Sequence, residues 1–319
     1  MEQDNILEVK NLKKTFHEKN GNEVKAVRGI SFQIKRGEIY GFLGPNGAGK
    51  STTITMLTTG LKPDEGTIML DGISVTEHPE QARGKIGVVA QHNNLDRSLT
   101  ARENLLYHAR YFGMDRKEAE KKADEYLEAF GLADRQNDYV SSYSGGMAQR
   151  LKIARAMMHT PEILFLDEPT TGLDPNYREI LWKQMLDLNK QGTTIFLTTH
   201  YMEEPERFCQ DIAIISHGEV KASGTSEELK AMIPSRNIVS LKLNDADEGL
   251  IRDAGRLENV EQAKINNGIL QLYMKDKPDF DEIIRWTEKE NRTLQNISLS
   301  TSTLDDVFMY LTGSSVNAQ

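Results

Sequence analysis

At positions 44–51 the chain reads Gly44-Pro45-Asn46-Gly47-Ala48-Gly49-Lys50-Ser51, which fits the phosphate-binding pattern G-x-x-x-x-G-K-[ST]. An apolar run at 39–43 precedes it and is typical of a buried strand, while residues 52–57 can open a helix. The glycines let backbone N–H groups turn toward phosphate oxygens, and the helix N-terminus adds partial positive charge. The stretch therefore predicts a nucleotide site, with Lys50 at the β- and γ-phosphates and the Ser51 hydroxyl on Mg²⁺.

A second signal is a run of apolar residues, 163–166, that ends in two carboxylates, Asp167 and Glu168. If this buried strand lies next to the phosphate-loop strand, Asp167 is near the Mg²⁺. Glu168 then faces the γ-phosphate, where a carboxylate can polarise the attacking water. An acidic turn after any buried strand has the same sequence pattern, but the phosphate loop upstream favours the catalytic interpretation.

Two further candidates lie at the ends of predicted elements. Ser144-Gly145-Gly146 precedes a predicted helix and is either a simple N-cap turn or a second anion-binding helix start, used on a neighbour's nucleotide. His200 follows the run 195–199, at the carboxyl end of a predicted strand, where open α/β sheets bind ligands. An isolated histidine is more often a surface or packing residue, so this position needs support from other motifs.

Length, charge and composition limit the class of protein. The 319 residues are enough for about two domains, and the net charge of −9 argues against a general nucleic-acid surface. The single cysteine, Cys209, cannot form an internal disulfide, which fits a reducing compartment, and we expect it to be a small buried residue. Because no apolar segment approaches the roughly 20 residues that span a bilayer and the N-terminus lacks a secretory signal, we expect a cytoplasmic protein.

Buried apolar runs alternate with helical patterns over residues 1–231 and predict an α/β fold, with a largely parallel sheet covered on both faces. The pattern is helical from about 92 to 160, which indicates an inserted helical subdomain. Residues 232–319 predict a small α+β domain of order β-α-β-β-α-β-α. Asn266-Asn267-Gly268 is its hairpin signal, and Ser302 or Thr303 is the expected N-cap of its last helix.

Several motifs follow one another in an order that is typical of one family: the phosphate loop, Gln91, Ser144-Gly145-Gly146, Asp167-Glu168, Gly172-Leu173-Asp174 and His200. Over about residues 3–230 the chain resembles the nucleotide-binding domain of an ABC transporter. The resemblance implies the ABC type of P-loop NTPase fold, with ATP and Mg²⁺ as cofactors and ATP hydrolysis as the activity.

The resemblance also implies a role for each matching residue. Phe16 would stack on adenine, and Gln91 would sense Mg²⁺ and the membrane subunit. Residues 144–146 would close on ATP held by the opposite subunit, Asp174 would be the D-loop residue, and His200 would contact the γ-phosphate. The predicted catalytic residues are Lys50, Glu168 and His200, and the predicted metal ligands are Ser51, Gln91 and Asp167. The predicted nucleotide-binding residues are Phe16, Gly44, Pro45, Asn46, Gly47, Ala48, Gly49, Lys50, Ser51, Thr52, Gln91, Ser144, Gly145, Gly146 and Asp174.

The end of the chain favours one branch of this family. Residues 304–313, Leu-Asp-Asp-Val-Phe-Met-Tyr-Leu-Thr-Gly, resemble the ending of ATPase subunits of ABC-2 type exporters, including daunorubicin-resistance-like ones. That branch implies a homodimer or heterodimer of nucleotide-binding subunits around two ATP–Mg²⁺, which drives a separate permease at the inner face of the membrane. We expect residues 91–104 to contact the permease and residues 231–319 to support assembly.

Two alternatives and two departures accompany this interpretation. The alternatives are a soluble ABC ATPase not coupled to transport and an importer ATPase with a regulatory C-terminal domain. A single phosphate loop and the absence of a sustained heptad pattern count against the first, and the terminal stretch counts against the second.

Met147 stands where the family most often has Gln, and Pro205 where the branch usually has Ala. We expect activity despite both, because the anion-binding atoms come from Ser144 and the backbone, and the first helical turn tolerates proline.

Overall fold

In a computed structural model of the chain, the described residues are 5–17, 21–233, 237–244, 247–266, 268–290 and 292–312. The chain divides into two compact units, Met1–Ser223 and Gly224–Ala318. The division lies earlier than the sequence-based boundary at 231/232, because a short helix, Ser226–Lys230, packs against the last helix of the second unit.

The first unit contains two sheets. In chain order its strands are β1 (Asn5–His17), β2 (Glu23–Lys35), β3 (Ile39–Leu43), β4 (Glu65–Leu70), β5 (Ile73–Ser74), β6 (Ile86–Val89), β7 (Ile163–Asp167), β8 (Thr194–Thr199), β9 (Asp211–Ser216) and β10 (Glu219–Gly224). The central sheet has the order β10-β9-β3-β8-β7-β6, and its strands from β9 to β6 are parallel, as the alternating pattern predicted. A separate antiparallel sheet, in the order β2-β1-β4-β5, was not predicted as such.

The central strands are buried on both faces because successive side chains point into different cores. In β7, Ile163 and Phe165 pack with the antiparallel sheet and with Phe42, whereas Leu164 and Leu166 pack with the helical subdomain. Every residue of β3, β7 and β8 is buried, which explains their nearly continuous apolar sequences.

The predicted position of β7 next to the phosphate-loop strand is wrong. The neighbours of β3 are β8 and β9, while β7 pairs with β8 and β6. Strand β8 therefore lies between the phosphate loop and Asp167. Local apolar patterns identify buried strands, but the order of parallel strands depends on the crossover connections, which those patterns do not specify.

The helices of the first unit are α1 (Lys50–Leu57), α2 (Pro79–Lys85), α3 (Ala101–Tyr111), α4 (Arg116–Ala129), α5 (Gly145–Met157), α6 (Pro175–Lys190) and α7 (Glu203–Phe208). Helices α3 to α5 form the expected helical subdomain, and short 3₁₀ turns at Ala133–Arg135 and Val140–Ser142 lie between α4 and α5. Pro205 lies in the first turn of α7, as expected. None of the helices within the described residues is both long and apolar enough to cross a membrane.

The second unit begins with α8 (Ser226–Lys230), which was not predicted. The elements that follow have the predicted order: β11 (Asn237–Leu243), α9 (Glu248–Ala254), β12 (Val260–Asn266), β13 (Ile269–Met274), α10 (Phe280–Lys289), β14 (Leu294–Thr301) and α11 (Leu304–Thr312). Its antiparallel sheet has the order β12-β13-β11-β14. Strands β12 and β13 pair as a hairpin, although Asn267 of the predicted turn lies outside the described residues. Thr303 is the N-cap of α11: its hydroxyl accepts the Asp306 N–H, while the Asp306 carboxylate accepts the Thr303 N–H.

Candidate functional site

A cavity of about 460 Å³ opens around the phosphate loop in the first unit. Its lining includes residues predicted from sequence to bind nucleotide or to act on it: Pro45, Asn46, Gly47, Gly49, Lys50, Ser51, Thr52, Gln91 and Glu168. The start of β2 also contributes to the lining, including Val24, Lys25 and Arg28. The phosphate loop thus forms one side of a cavity of the size of a small-molecule site.

The phosphate loop requires glycine at two positions. A Cβ atom on Gly44 would lie 2.3 Å from the carbonyl oxygen of Ile215, and one on Gly49 would lie 2.4 Å from that of Ala26. Gly49 also has φ +105, and it is the N-cap of α1 without any side-chain hydrogen bond to the first turn. The helix therefore begins with backbone N–H groups that no cap side chain occupies, which is the arrangement of a phosphate site.

Lys50 is buried, with 5% of its surface exposed, and its ammonium group is held at the loop. Its Nζ atom donates hydrogen bonds to the carbonyl oxygens of Gly44 at 2.7 Å and Pro45 at 3.1 Å. The same atom lies 3.3 Å from Oε1 of Glu168. Burial lowers the pKa of Lys50 from its usual value, an effect that the neighbouring Glu168 and Asp167 carboxylates partly oppose.

Glu168 brings together residues from distant parts of the chain. Its Oε2 atom accepts hydrogen bonds from Gln91 Nε2 and Thr171 Oγ1, both at 3.2 Å. His200 Nδ1 lies 3.3 Å from the other carboxylate oxygen. The backbone of Glu168 is in the left-handed region, with φ 48, and its N–H donates to the carbonyl of Thr198 at 3.1 Å. This conformation turns the chain sharply at the end of β7, directly after Asp167.

Opposing effects set the pKa of Glu168. Burial raises it, but the positive charge of Lys50 and the contact with His200 outweigh burial, and the pKa lies below its usual value. The carboxylate is therefore ionised at neutral pH. Since the folded-state pKa is lowered, its stabilising contribution is present above the unfolded-state pKa and is lost as the pH falls through the folded-state value.

Asp167 lies beside Glu168 but has a different partner. The Thr198 hydroxyl, on the intervening strand β8, donates to Asp167 Oδ1 at 2.6 Å and accepts the Glu168 N–H at 3.2 Å. One threonine therefore fixes both carboxylate-bearing residues at the end of β7.

The second predicted helix start lies outside the cavity lining. Ser144 is the N-cap of α5, and its Oγ atom accepts the Met147 N–H at 3.3 Å. A Cβ atom on Gly146 would lie 3.3 Å from the ring of Tyr177, so the glycine permits close packing there. Asp174 is the N-cap of α6 and accepts the Tyr177 N–H at 3.1 Å. The starts of α5 and α6 are thus close to each other. Their predicted site residues are not part of the cavity lining: Ser144, Gly145, Gly146 and Asp174.

Phe16, the predicted adenine-stacking residue, lies near the cavity without lining it. It pairs across the antiparallel sheet with Val24, which does line the cavity. Phe16 is 41% exposed, and Lys14 Nζ lies 5.9 Å from its ring centroid. An exposed ring beside the cavity can stack on a base, and its role stays a prediction.

Comparisons with known proteins agree with this geometry. The ABC transporter domain family matches residues 27–171. The chain is 40% identical to the daunorubicin/doxorubicin resistance ATP-binding protein DrrA of Streptomyces peucetius, covering 92% of this chain and 89% of that protein. It is 38% identical to the Nod factor export ATP-binding protein I of Paraburkholderia xenovorans (strain LB400), covering 96% and 97%.

The chain belongs to the ABC transporter ATP-binding family. A solved structure supports the fold: the ATP-binding cassette MJ0796, in a dimeric post-hydrolysis state bound to ADP and phosphate, aligns with a TM-score of 0.64 at 31% identity, covering 69% of this chain and 98% of that one. The cassette described here is therefore an ATP-binding ATPase, and the sequence-based assignment to the exporter branch is confirmed.

Sequence reasoning missed several polar residues of the cassette. Thr198 and Thr171 contact the two carboxylate-bearing residues, as described above. Thr170 is fully buried and donates its hydroxyl to Glu204 Oε2 at 2.8 Å, which connects the turn after Glu168 to α7. The available signal was Thr198-Thr199, a polar pair that ends an otherwise apolar run just before His200.

The fit of Mg²⁺ to the cassette can be judged from its oxygen atoms. Ser51, Gln91 and Asp167 supply hydroxyl, amide and carboxylate oxygens, the ligand types that Mg²⁺ prefers. The described part of the chain contains no group of three or more His, Cys, Asp or Glu side chains that could hold a metal ion. These donors, which include one carboxylate, fit a Mg²⁺ ion that completes its shell with nucleotide phosphates and water.

Proposed function

We propose that this chain is the ATP-hydrolysing subunit of an ABC-2 type exporter, which dimerises around two ATP–Mg²⁺ and drives a separate membrane permease. One observation carries the catalytic part: Glu168, an ionised and buried carboxylate, is held by Gln91 and lies 3.3 Å from both Lys50 and His200. Motifs that are distant in sequence thereby meet at the phosphate loop.

In this proposal the phosphate loop and Lys50 bind the substrate. The uncapped N–H groups at the start of α1 receive phosphate oxygens, and the ammonium group of Lys50 neutralises charge on the β- and γ-phosphates. Because Lys50 is already fixed by two backbone carbonyls, little reorganisation is needed when charge develops in the transition state.

Glu168 is the proposed general base. Its carboxylate is ionised and fixed by the Gln91 amide and the Thr171 hydroxyl, so it can accept a hydrogen bond from the attacking water and orient it. His200, which follows β8, would contact the γ-phosphate. Ser51, Gln91 and Asp167 would hold Mg²⁺, which when bound neutralises charge on the β- and γ-phosphates.

Dimerisation completes the site in this proposal. The start of α5 is exposed at Ser144 and Gly145 and does not line the chain's own cavity, so its helix N-terminus is free to meet phosphate on a second subunit. The dimeric state of the MJ0796 cassette supports the same arrangement here. We expect an isolated monomer to hydrolyse ATP poorly.

The permease would dock on the segment that follows Gln91. A cavity of about 430 Å³ is lined by Asn94, Asp96, Leu99 and Asn104 from this segment, together with Tyr107, His108 and Arg155. Arg155 anchors the segment by donating to the Asn94 carbonyl at 2.8 Å. This concave surface begins at Asn94, three residues after Gln91, which donates a hydrogen bond to Glu168. A membrane subunit bound there could therefore respond to conformational changes at the nucleotide. The chain would then work at the inner face of the membrane.

The C-terminal unit would support assembly rather than ATP chemistry. Strand β14 forms one edge of its sheet and contains no charged residue, whereas β12 at the other edge carries Glu261 and Lys264. Charged residues usually protect an edge strand from pairing, so β14 is the less protected edge. Leu299 on β14 is 47% exposed, which gives this edge an apolar contact for a partner.

The catalytic assignment is tested by Glu168→Gln. We expect ATP binding to persist while turnover falls about 10²–10⁴-fold, since the amide cannot act as a base. Size-exclusion chromatography with ATP should then show a long-lived dimer. Glu128→Gln, at an exposed position on α4, is the matched control and should leave turnover unchanged. Turnover of the Glu168→Gln variant close to the wild-type rate would contradict the assignment.

The docking assignment is tested by disulfide cross-linking to the permease expressed with this chain. The sole native cysteine, Cys209, is half-buried, and desolvation raises the pKa of its thiol, so introduced cysteines should be the more reactive ones. Cysteines at 94 and 99 should cross-link to cytoplasmic segments of the permease. Cross-links that form only from residues 237–312 would mean that the permease docks on the C-terminal unit instead.

A further inference from the structure

The orientation of His200 is not explained by its polar contacts. Its Nδ1 atom is buried and makes no hydrogen bond with any of the described residues, although it lies 3.3 Å from Glu168 Oε1. At this distance the two atoms make at most one weak polar contact, and one such contact does not fix the plane of a ring. Some other contact must fix the plane of the imidazole ring.

The ring of Tyr201 provides that contact. Its centroid lies 4.1 Å from the centroid of the His200 imidazole, with the planes inclined by 38°. The Tyr201 N–H donates to Thr199 Oγ1 at 2.9 Å, which ties the residue to the end of β8. The imidazole therefore packs on a neighbour whose own backbone is fixed at the same strand end.

Arg178, on α6, also packs against the Tyr201 ring. Its guanidinium carbon lies 4.8 Å from the ring centroid, within the range of a cation–π contact. Its Nε atom donates to the carbonyl oxygen of Leu173 at 3.0 Å. Leu173 belongs to the turn between Glu168 and α6, and residues 171, 172 and 174–176 of this turn and helix start are exposed.

We propose that Arg178 and Tyr201 are positioning residues for ATP hydrolysis: Arg178 connects the exposed turn at 172–174 to the Tyr201 ring, and Tyr201 holds His200 against Glu168. The proposal rests on the roles assigned above to His200 and Glu168. It also provides a route by which a displacement of the turn, such as one caused by contact with a second subunit, reaches the imidazole. The route runs through the Arg178 hydrogen bond to Leu173 and then through the packed Arg178, Tyr201 and His200 side chains.

A kinetic comparison separates positioning from general structural support. Arg178→Met removes the guanidinium, and Lys183→Met removes an exposed cation from the same helix as the matched control. Arg178→Met should lower kcat on the order of tenfold, within the roughly hundredfold that a 1 Å misplacement of a catalytic group can cost, with KM for ATP unchanged. Tyr201→Leu should lower kcat similarly, and Tyr201→Phe, which keeps the ring, should restore it.

A spectroscopic measurement reports directly on the imidazole. In protein labelled with ¹³C at histidine Cε1, the chain's 7 histidines give separate signals, and the His200 signal is assigned by its loss in His200→Gln. Arg178→Met should shift the His200 signal, because movement of the Tyr201 ring changes its ring current, while Lys183→Met should not. The signals of histidines in the helical subdomain, such as His108 and His159, should stay in place in all variants.

The outcomes distinguish this inference from the proposed function. Normal turnover in Glu168→Gln and His200→Ala would overturn the catalytic roles themselves. If those variants lose turnover but Arg178→Met retains wild-type kcat and an unshifted His200 signal, the positioning role is wrong. A fall in kcat with shifts of all histidine signals would also overturn it, since Arg178 would then support the fold in general.

Discussion

Helices α1 and α5 were both predicted to bind phosphate at their N-termini, yet their first turns differ. Helix α1 begins at Gly49, which has no side chain to cap it, and its next residue is the buried Lys50. Helix α5 begins at Ser144, whose own hydroxyl accepts the Met147 N–H. The first start is built for a ligand of its own chain, whereas the second is satisfied in isolation and exposed. In the proposed function, the start of α1 would bind the chain's own nucleotide, and the start of α5 would bind a nucleotide held by another subunit.

The largest expected effect is at α1, from Lys50→Met. This substitution removes the ammonium group of Lys50, which has no counterpart in the first turn of α5, and keeps an unbranched side chain. Turnover should fall by about 10²–10³-fold, the usual loss when a preorganised donor is removed from a site of developing charge. Steady-state phosphate release with saturating ATP measures it. A loss no greater than that of Ser144→Ala would remove the distinction between the two helix starts.

A smaller effect, on the free energy of unfolding, is expected when the glycine at the start of α1 or α5 is replaced by alanine. Gly49→Ala places a Cβ 2.4 Å from the Ala26 carbonyl at φ +105, and should lower the free energy of unfolding by roughly 1–3 kcal/mol. Gly145→Ala meets nothing within 4 Å in a helical first turn, and should change it by less than about 0.5 kcal/mol. Thermal unfolding of the two variants compares them directly. Equal losses would show that the α5 start is as sterically constrained as the α1 start.

The smallest effect on ATP binding by a single chain is expected from Ser144→Ala. Loss of the cap should cost about 1 kcal/mol, because Met147 N–H loses its acceptor. ATP affinity of the monomer, measured by equilibrium titration at low protein concentration, should stay unchanged, while turnover at concentrations that favour dimers should fall. Weaker ATP binding by the monomer would place Ser144 in its own chain's site and contradict the division of roles.

Sequence reasoning succeeded where function depends on contiguous residues. The phosphate loop, the carboxylates after β7 and the caps of α5 and α11 are local patterns, and the order of elements in the C-terminal unit follows from alternation and turn residues. It failed on the order of the strands in the central sheet. The insertion of β8 between β3 and β7 depends on crossover connections, and the role of Thr198 follows from that insertion. The left-handed backbone conformation of Glu168 could not be predicted from the sequence either, because residues other than glycine rarely adopt a positive φ.

The three contacts of Lys50 have a consequence for how the substrate enters. An ammonium group has three protons, and those of Lys50 face Gly44 O, Pro45 O and Glu168 Oε1. If Lys50 binds the β- and γ-phosphates as proposed, an incoming nucleotide would replace one of these three partners. The Glu168 carboxylate is the one that does not belong to the loop backbone, and its replacement would make nucleotide arrival an anion exchange at a fixed cation. The displaced carboxylate is the group that would take the water. Nucleotide binding and release of the base from Lys50 would then be a single event.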